Sequence, residues 1–107
     1  MKEYNSNELN EVAMSIILHA GNCRNYINSA VSSILNKEED DVVNDYLDKA
    51  KNEIVEAHRI QTDVIQSTIL NEEQKITLLF THAQDTLMTT DSELELTINI
   101  IKLVKSK

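Results

Sequence analysis

Apolar residues recur along this chain in alternating steps of four and three. From Asn7 to Leu35 they are Leu9, Ala13, Ile16, Ala20, Cys23, Ile27, Ala30 and Ile34. A stripe of that period, sustained over more than three heptads, predicts one long amphipathic helix. Residues 41–69 repeat the pattern with Val43, Leu47, Ala50, Ile54, Ala57, Gln61 and Val64, where Gln61 stands as a candidate buried polar residue in an apolar seam. Residues 74–105 carry Ile76, Phe80, Ala83, Leu87, Leu94, Ile101 and Val104 on one stripe and Leu79, Leu96, Ile100 and Leu103 on a second. A helix with two apolar stripes has more than one neighbour, and in a three-helix monomer the surplus points to self-association.

Polar breaks at 36–41 and 71–74 separate the segments. Asn7 is the expected N-cap of the first helix, with Glu8 and Glu11 in its first turns, and Asp40 or Asp41 is the expected cap of the second. The prediction is an all-α single domain, 1–107, with helices at 7–35, 41–69 and 74–105 in an antiparallel up-down-up three-helix bundle. Gly21 interrupts the first helix at a cost of about 1 kcal/mol relative to Ala. Its expected compensation is a neighbouring helix crossing close to it.

Composition narrows this picture without redrawing it. The 107 residues include no proline and one glycine, so tight hairpins lack their usual residues. A formal net charge of −8 argues against nucleic acid and anionic membranes as partners. Cys23, the one cysteine, excludes an intramolecular disulfide and a cysteine-rich metal site, and it suits a reducing cytoplasm. No apolar run reaches the ~18 residues of a membrane span, and no leader pattern precedes the first helix, so the expected protein is soluble and starts near Met1.

Candidate chemistry lies in the third helix. His82, Asp85, Thr86 and Thr89 stand three and four residues apart and form one polar patch, flanked upstream by Leu78 and Leu79. A histidine beside a carboxylate in apolar surroundings has the ingredients of proton, phosphoryl or metal chemistry. By itself such a pair is more often a structural hydrogen bond. No nucleotide-binding glycine loop, Ser–His–Asp elbow or His-Glu-x-x-His motif accompanies it. His19 and His58 have no second ligand at metal spacing and read as surface or packed histidines.

Three motifs in order resemble one family. Glu11–Ile17 followed by Ala20-Gly21-Asn22-Cys23-Arg24, then Glu56-Ala57-His58-Arg59-Ile60-Gln61-Thr62, then His82-Ala83-Gln84-Asp85 with Leu87-Met88-Thr89, are similar to the lactose/cellobiose-type enzyme IIA of the bacterial phosphoenolpyruvate-dependent sugar phosphotransferase system. The resemblance implies a cytoplasmic phosphocarrier. His82 would accept the phosphoryl group from phospho-HPr through its Nε2 and pass it to a cysteine of the cognate IIB component, serving a membrane IIC partner. It implies a homotrimer, a nine-helix bundle in which Asp85 meets its symmetry mates on the three-fold axis and binds a divalent metal.

Three converging carboxylates raise one another's pKa, and an oxygen-liganded cation such as Mg²⁺ relieves this. Facing away from the phosphoryl group, such a metal would be structural. The family's usual second histidine, four residues after the first, is replaced by Thr86, which can hydrogen-bond a phosphate oxygen but cannot carry a proton as imidazole does. That departure gives weight to a non-catalytic regulatory or interaction module on the same fold. A plain coiled coil would leave Gly21, Gln61 and the His82–Asp85 patch without a purpose. The Ala83 form of the motif leans toward cellobiose or chitobiose over lactose. Gln84 reads equally as an interface amide or a functional one, and His58 and Gln61 read as interface or supporting residues.

Overall fold

The computed structural model describes residues 3–71 and 73–107. Among the described residues every regular element is helical: α1 spans Ser6–Leu35, α2 Asp40–Leu70 and α3 Leu78–Lys105. The three lie side by side in a rod of 54 × 20 × 20 Å. Interhelix ion pairs fix their directions. His58–Asp91 (3.0 Å) and Asp40–Lys105 (3.3 Å) join α2 to α3 at residue numbers that rise on one helix as they fall on the other, as antiparallel helices require. Arg24–Glu93 and Tyr4–Gln74 join residues 69 and 70 apart, so α1 and the α3 end of the chain run parallel in one constant register.

The core follows the seams. Leu9, Ala13, Ile16, Ala20, Cys23, Ile27 and Ala30 of α1 meet Val43, Leu47, Ala50, Ile54, Ala57 and Val64 of α2 and Phe80, Ala83, Leu87, Leu94 and Ile101 of α3. Ala13, Ala20 and Ala30 let the α1 backbone approach both neighbours, and α3 rests on α1 far more than on α2. Gln61 is buried where the pattern places it, and Thr90 is fully buried with its hydroxyl bonded to Thr86 O (2.7 Å). At the seam ends the pattern overreaches. Ile76 precedes α3, Val104 is exposed, and Ser33 rather than Ile34 is the buried residue of the last α1 turn.

The helix ends show why the boundaries differ. Asn5, not Asn7, caps α1. It forms a capping box in which Asn5 Oδ1 accepts from Glu8 N (2.8 Å) and Glu8 Oε1 accepts from Asn5 N (3.3 Å). Glu39 occupies the N-cap of α2 without a side-chain bond, while Asp40 and Asp41 lie inside the first turn as charge complements to the helix dipole. α3 begins at residue 78 rather than 74 because Gln74 is engaged elsewhere. Its side chain accepts from Tyr4 N (2.9 Å) and donates to Tyr4 O (2.8 Å), pinning the incoming N-terminal segment to the loop. Thr77 then caps α3, its hydroxyl accepting from Phe80 N (3.2 Å).

The expectation for Gly21 is not met within one chain, since a Cβ built there would have no heavy atom within 4 Å. Gly21 sits on the exposed flank of α1, so no helix of the same chain crosses it.

Exit from α1 is a Schellman turn without glycine. Lys37 N donates to Ile34 O (3.0 Å) and Glu38 N to Ser33 O (2.9 Å), while Lys37 takes a left-handed φ of 58°. Left-handed backbone costs a residue with a Cβ about 1 kcal/mol. Lys37→Gly should therefore raise unfolding free energy by up to about 1 kcal/mol in urea titrations, with the slope unchanged. A destabilised variant would mean that the turn is not held in this conformation.

Candidate functional site

His82 stands in the second turn of α3, exposed, and its imidazole has no hydrogen-bond or ion-pair partner among the described residues. Asp85 is one turn on and also exposed, with no bond to His82, so the pair is not a structural hydrogen bond. The threonines of the patch turn inward to their own helix. Thr86 Oγ1 donates to His82 O (3.0 Å) and Thr89 Oγ1 to Asp85 O (2.8 Å). Thr86 therefore spends its one donor on the backbone, leaving its oxygen lone pairs as acceptors. Gln84 is half-buried on the far flank.

Side chains on a helix lean toward its N-terminus, so the His82 ring is displaced toward the start of α3. There the partial positive charge of the helix dipole is unopposed. The first turns of α1 and α2 hold Glu8 and the pair Asp40 and Asp41, whereas that of α3, among the described residues, holds no acid. In a chain of net charge −8 this is a local opening for an anion. An unpaired nucleophilic nitrogen beside it is the arrangement a phosphoryl acceptor needs.

Asp85 lies about 60° around the helix from His82, at the centre of the outward face. Leu78, Met88, Leu96 and Leu103 are exposed on the side of α3 opposite the core, and Asp85 falls among them; Leu78 is 87% exposed and Leu96 61%. Among the described residues no group of three His, Cys, Asp or Glu side chains converges within one chain to hold a metal. A cation on Asp85 would need carboxylates from further copies.

A polar belt one to three turns beyond was not legible as such in the sequence. His19 Nδ1 donates to Glu53 Oε2 (2.9 Å), and Asn22 Nδ2 donates to Glu53 Oε1 (2.7 Å), tying α1 to α2. Arg24 makes a two-pronged pair with Glu93 (2.9 and 3.1 Å), tying α1 to α3, and that hydrogen bond raises the guanidinium pKa further. His58 Nε2 donates to Asp91 Oδ2 (3.0 Å), tying α2 to α3. His19 and His58 are thus packed histidines with carboxylate partners. The usable signal was their placement one position off the apolar seams, where half-buried polar residues of neighbouring helices meet.

Inside the belt Cys23 is fully buried. Burial, followed by the nearby Asp91, Glu53 and Glu93 carboxylates, pushes its thiol from 9.0 to about 11.

Comparison with known proteins places these features in context. Residues 11–105 match the family model described as PTS system, lactose/cellobiose specific IIA subunit. The lichenan-specific phosphotransferase enzyme IIA component of Bacillus subtilis is 32% identical over 96 residues, covering 90% of this chain and 86% of that protein. Among solved structures, PtcA from S. mutans superposes with a TM-score of 0.87 at 35% identity, covering 95% of this chain and 99% of that one. The cellobiose-specific enzyme IIA from Bacillus anthracis gives 0.82 at 32%, covering 96% and 92%.

The raised Cys23 pKa makes stability depend on pH in the alkaline range. Below 9.0 the thiol is protonated in both folded and unfolded chains, and above it the unfolded chain ionises first. Stability should fall as pH rises from 9.0 to about 11, and Cys23→Ala should flatten that part of the profile. Equal slopes in the two proteins, or rapid labelling of native Cys23 by a thiol reagent near neutral pH, would contradict a buried neutral thiol.

Proposed function

The chain belongs to the lactose/cellobiose-specific IIA family of the sugar phosphotransferase system, and we propose that it takes a phosphoryl group from phospho-HPr onto His82 Nε2 and passes it to a cysteine of a cognate IIB component. One observation carries this reading: an exposed, unpaired His82 at the one helix start without an acidic residue in its first turn. The neutral ring attacks phosphorus in line, forming the N–P bond as the bond to the donor breaks. The dipole of α3 then offsets part of the charge that arrives. In the second transfer the IIB thiolate attacks the same phosphorus and His82 leaves as a neutral imidazole, so no net proton is required of the ring.

HPr and the IIB component meet it in the cytoplasm, and no described helix is long and apolar enough to cross a membrane. The sugar is a β-linked disaccharide, cellobiose or chitobiose ahead of lactose, a choice supported by the Ala83 form of the motif and by similar proteins named as cellobiose- and diacetylchitobiose-specific. The IIA component itself does not touch the sugar.

The exposed stripe of α3 supports the second part of the proposal, a homotrimer in which three chains cover Leu78, Met88, Leu96 and Leu103 and build a nine-helix bundle. Asp85, an exposed carboxylate without a partner on that stripe, would meet its copies there. A divalent ion, Mg²⁺ by the hardness of its oxygen donors, would neutralise the repulsion and hold the assembly.

Two tests separate these parts. Incubation with phosphoenolpyruvate, enzyme I and HPr should add one acid-labile, base-stable phosphoryl group per chain, and His82→Ala should abolish it. Label retained in that variant would refute His82, and an unlabelled but partner-binding wild type would favour a regulatory module. For the assembly, sedimentation should give three chains per particle, and a chelator should lower its melting temperature. Asp85→Asn should remove that chelator sensitivity. A monomer at micromolar concentration, or equal chelator effects in both proteins, would overturn the metal-bound trimer.

A further inference from the structure

A phosphoryl acceptor that reacts through Nε2 has to keep its proton on Nδ1, and a hydrogen-bond acceptor facing Nδ1 is the usual means of holding that tautomer. Among the described residues the His82 ring has no such acceptor; Thr86, one turn on, is committed as a donor to His82 O (3.0 Å), and Asp85 makes no bond to the ring. Elsewhere the reverse imbalance exists. Asn10 Oδ1 on α1 is buried and, among the described residues, has no hydrogen-bond donor. A buried carbonyl oxygen left unpaired is destabilising and calls for a partner.

The register of α1 against α3 brings these two deficits together. Arg24 and Glu93 are bonded, 69 residues apart, on parallel helices. Counting back 11 residues, about three turns, from each reaches His82 (93 − 11) and Ala13 (24 − 11), so His82 stays on the α1-facing flank that Glu93 occupies. Asn10 lies about four turns before Arg24 and stays near the flank that Arg24 turns to α3. It is one turn nearer the N-terminus than the level of His82, in the direction in which the His82 ring leans.

We infer that Asn10 is a positioning residue for His82, its Oδ1 accepting the Nδ1 proton of the neutral ring so that Nε2 is presented to phosphorus. The contact is made by turning the exposed His82 side chain toward α1. This inference rests on the phosphocarrier reading of His82, but its first readout does not depend on phosphorylation.

The experiment compares the full wild-type chain with Asn10→Ala and Asn10→Asp, the latter keeping an acceptor oxygen at the same place. Long-range ¹H–¹⁵N spectra at about pH 8, where imidazoles are neutral, report which ring nitrogen carries the proton. His82 should be held largely as the Nδ1–H tautomer in wild type and Asn10→Asp. In Asn10→Ala it should relax toward the mixture of a free imidazole. His19 and His58, bonded to Glu53 and Asp91, serve as internal references whose signals should not move.

Phosphoryl transfer from phospho-HPr should slow about three- to tenfold in Asn10→Ala, the loss of one orienting hydrogen bond, and recover in Asn10→Asp. Alanine favours the helix, so the variant should melt no lower than wild type by more than a degree or two. An unchanged His82 tautomer in Asn10→Ala would overturn the inference even if transfer proceeds normally. A wild type whose tautomer responds to Asn10 but which never takes up phosphate would leave this contact standing and refute the phosphocarrier reading instead.

Discussion

The constraint on which the rest of the molecule depends is the parallel register of α1 and α3. α3 packs against α1 far more than against α2, so α1 supplies most of its seat. The seat is made of small residues. Ala13, Ala20 and Ala30 of α1 and Ala83 of α3 allow close approach, and Phe80, Leu87 and Leu94 fill the remaining volume. Because apolar packing alone tolerates sliding by a turn, directional bonds are needed to select one register. Arg24–Glu93 supplies one in the middle, and the double bond between Gln74 and the Tyr4 backbone supplies another at the start. Those two ties decide which residues of α1 can reach His82.

The polar belt and α3 divide the work between them. His19–Glu53, Arg24–Glu93 and His58–Asp91 each join a different pair of helices, which closes the bundle around the neutral Cys23 thiol. Each pair is partly hydrated, so its worth lies in geometry more than in free energy. The belt takes up Glu53, Glu93 and Asp91, and no acidic residue is placed in the first turn of α3. An anion approaching His82 therefore meets a helix start whose first turn adds no negative charge, with Asp85 the acidic residue one turn beyond.

How much of this was legible in the sequence follows from the range of each interaction. The seams are local and periodic, and they identified the core of all three helices and the buried Gln61. Helix starts were read one or more residues late or early because capping depends on backbone geometry and on distant partners. Asn5 wins over Asn7 through its box with Glu8, and residues 74–77 stay outside α3 because Gln74 is bonded to Tyr4, 70 residues away. His19 and His58 looked unpaired because their carboxylates lie more than thirty residues off, on other helices. Asn10 gave no signal at all, since an asparagine near a helix start is ordinary; its meaning appears only when its oxygen is found buried.

Gly21 extends the same argument to the outer surface. A glycine inside a helix is costly unless its missing side chain makes room for something. Within one chain nothing approaches it. It lies on the same exposed side of α1 as Met14 and Leu18, apolar residues that the core does not use. α3 has the matching surplus in Leu78, Met88, Leu96 and Leu103. Two helices of a single small domain thus carry uncovered apolar surface and one of them carries a gap. Close approach of a further helix would bury the first and occupy the second. The close crossing expected at Gly21 is absent within the chain, and in the proposed homotrimer a helix of another copy would supply it.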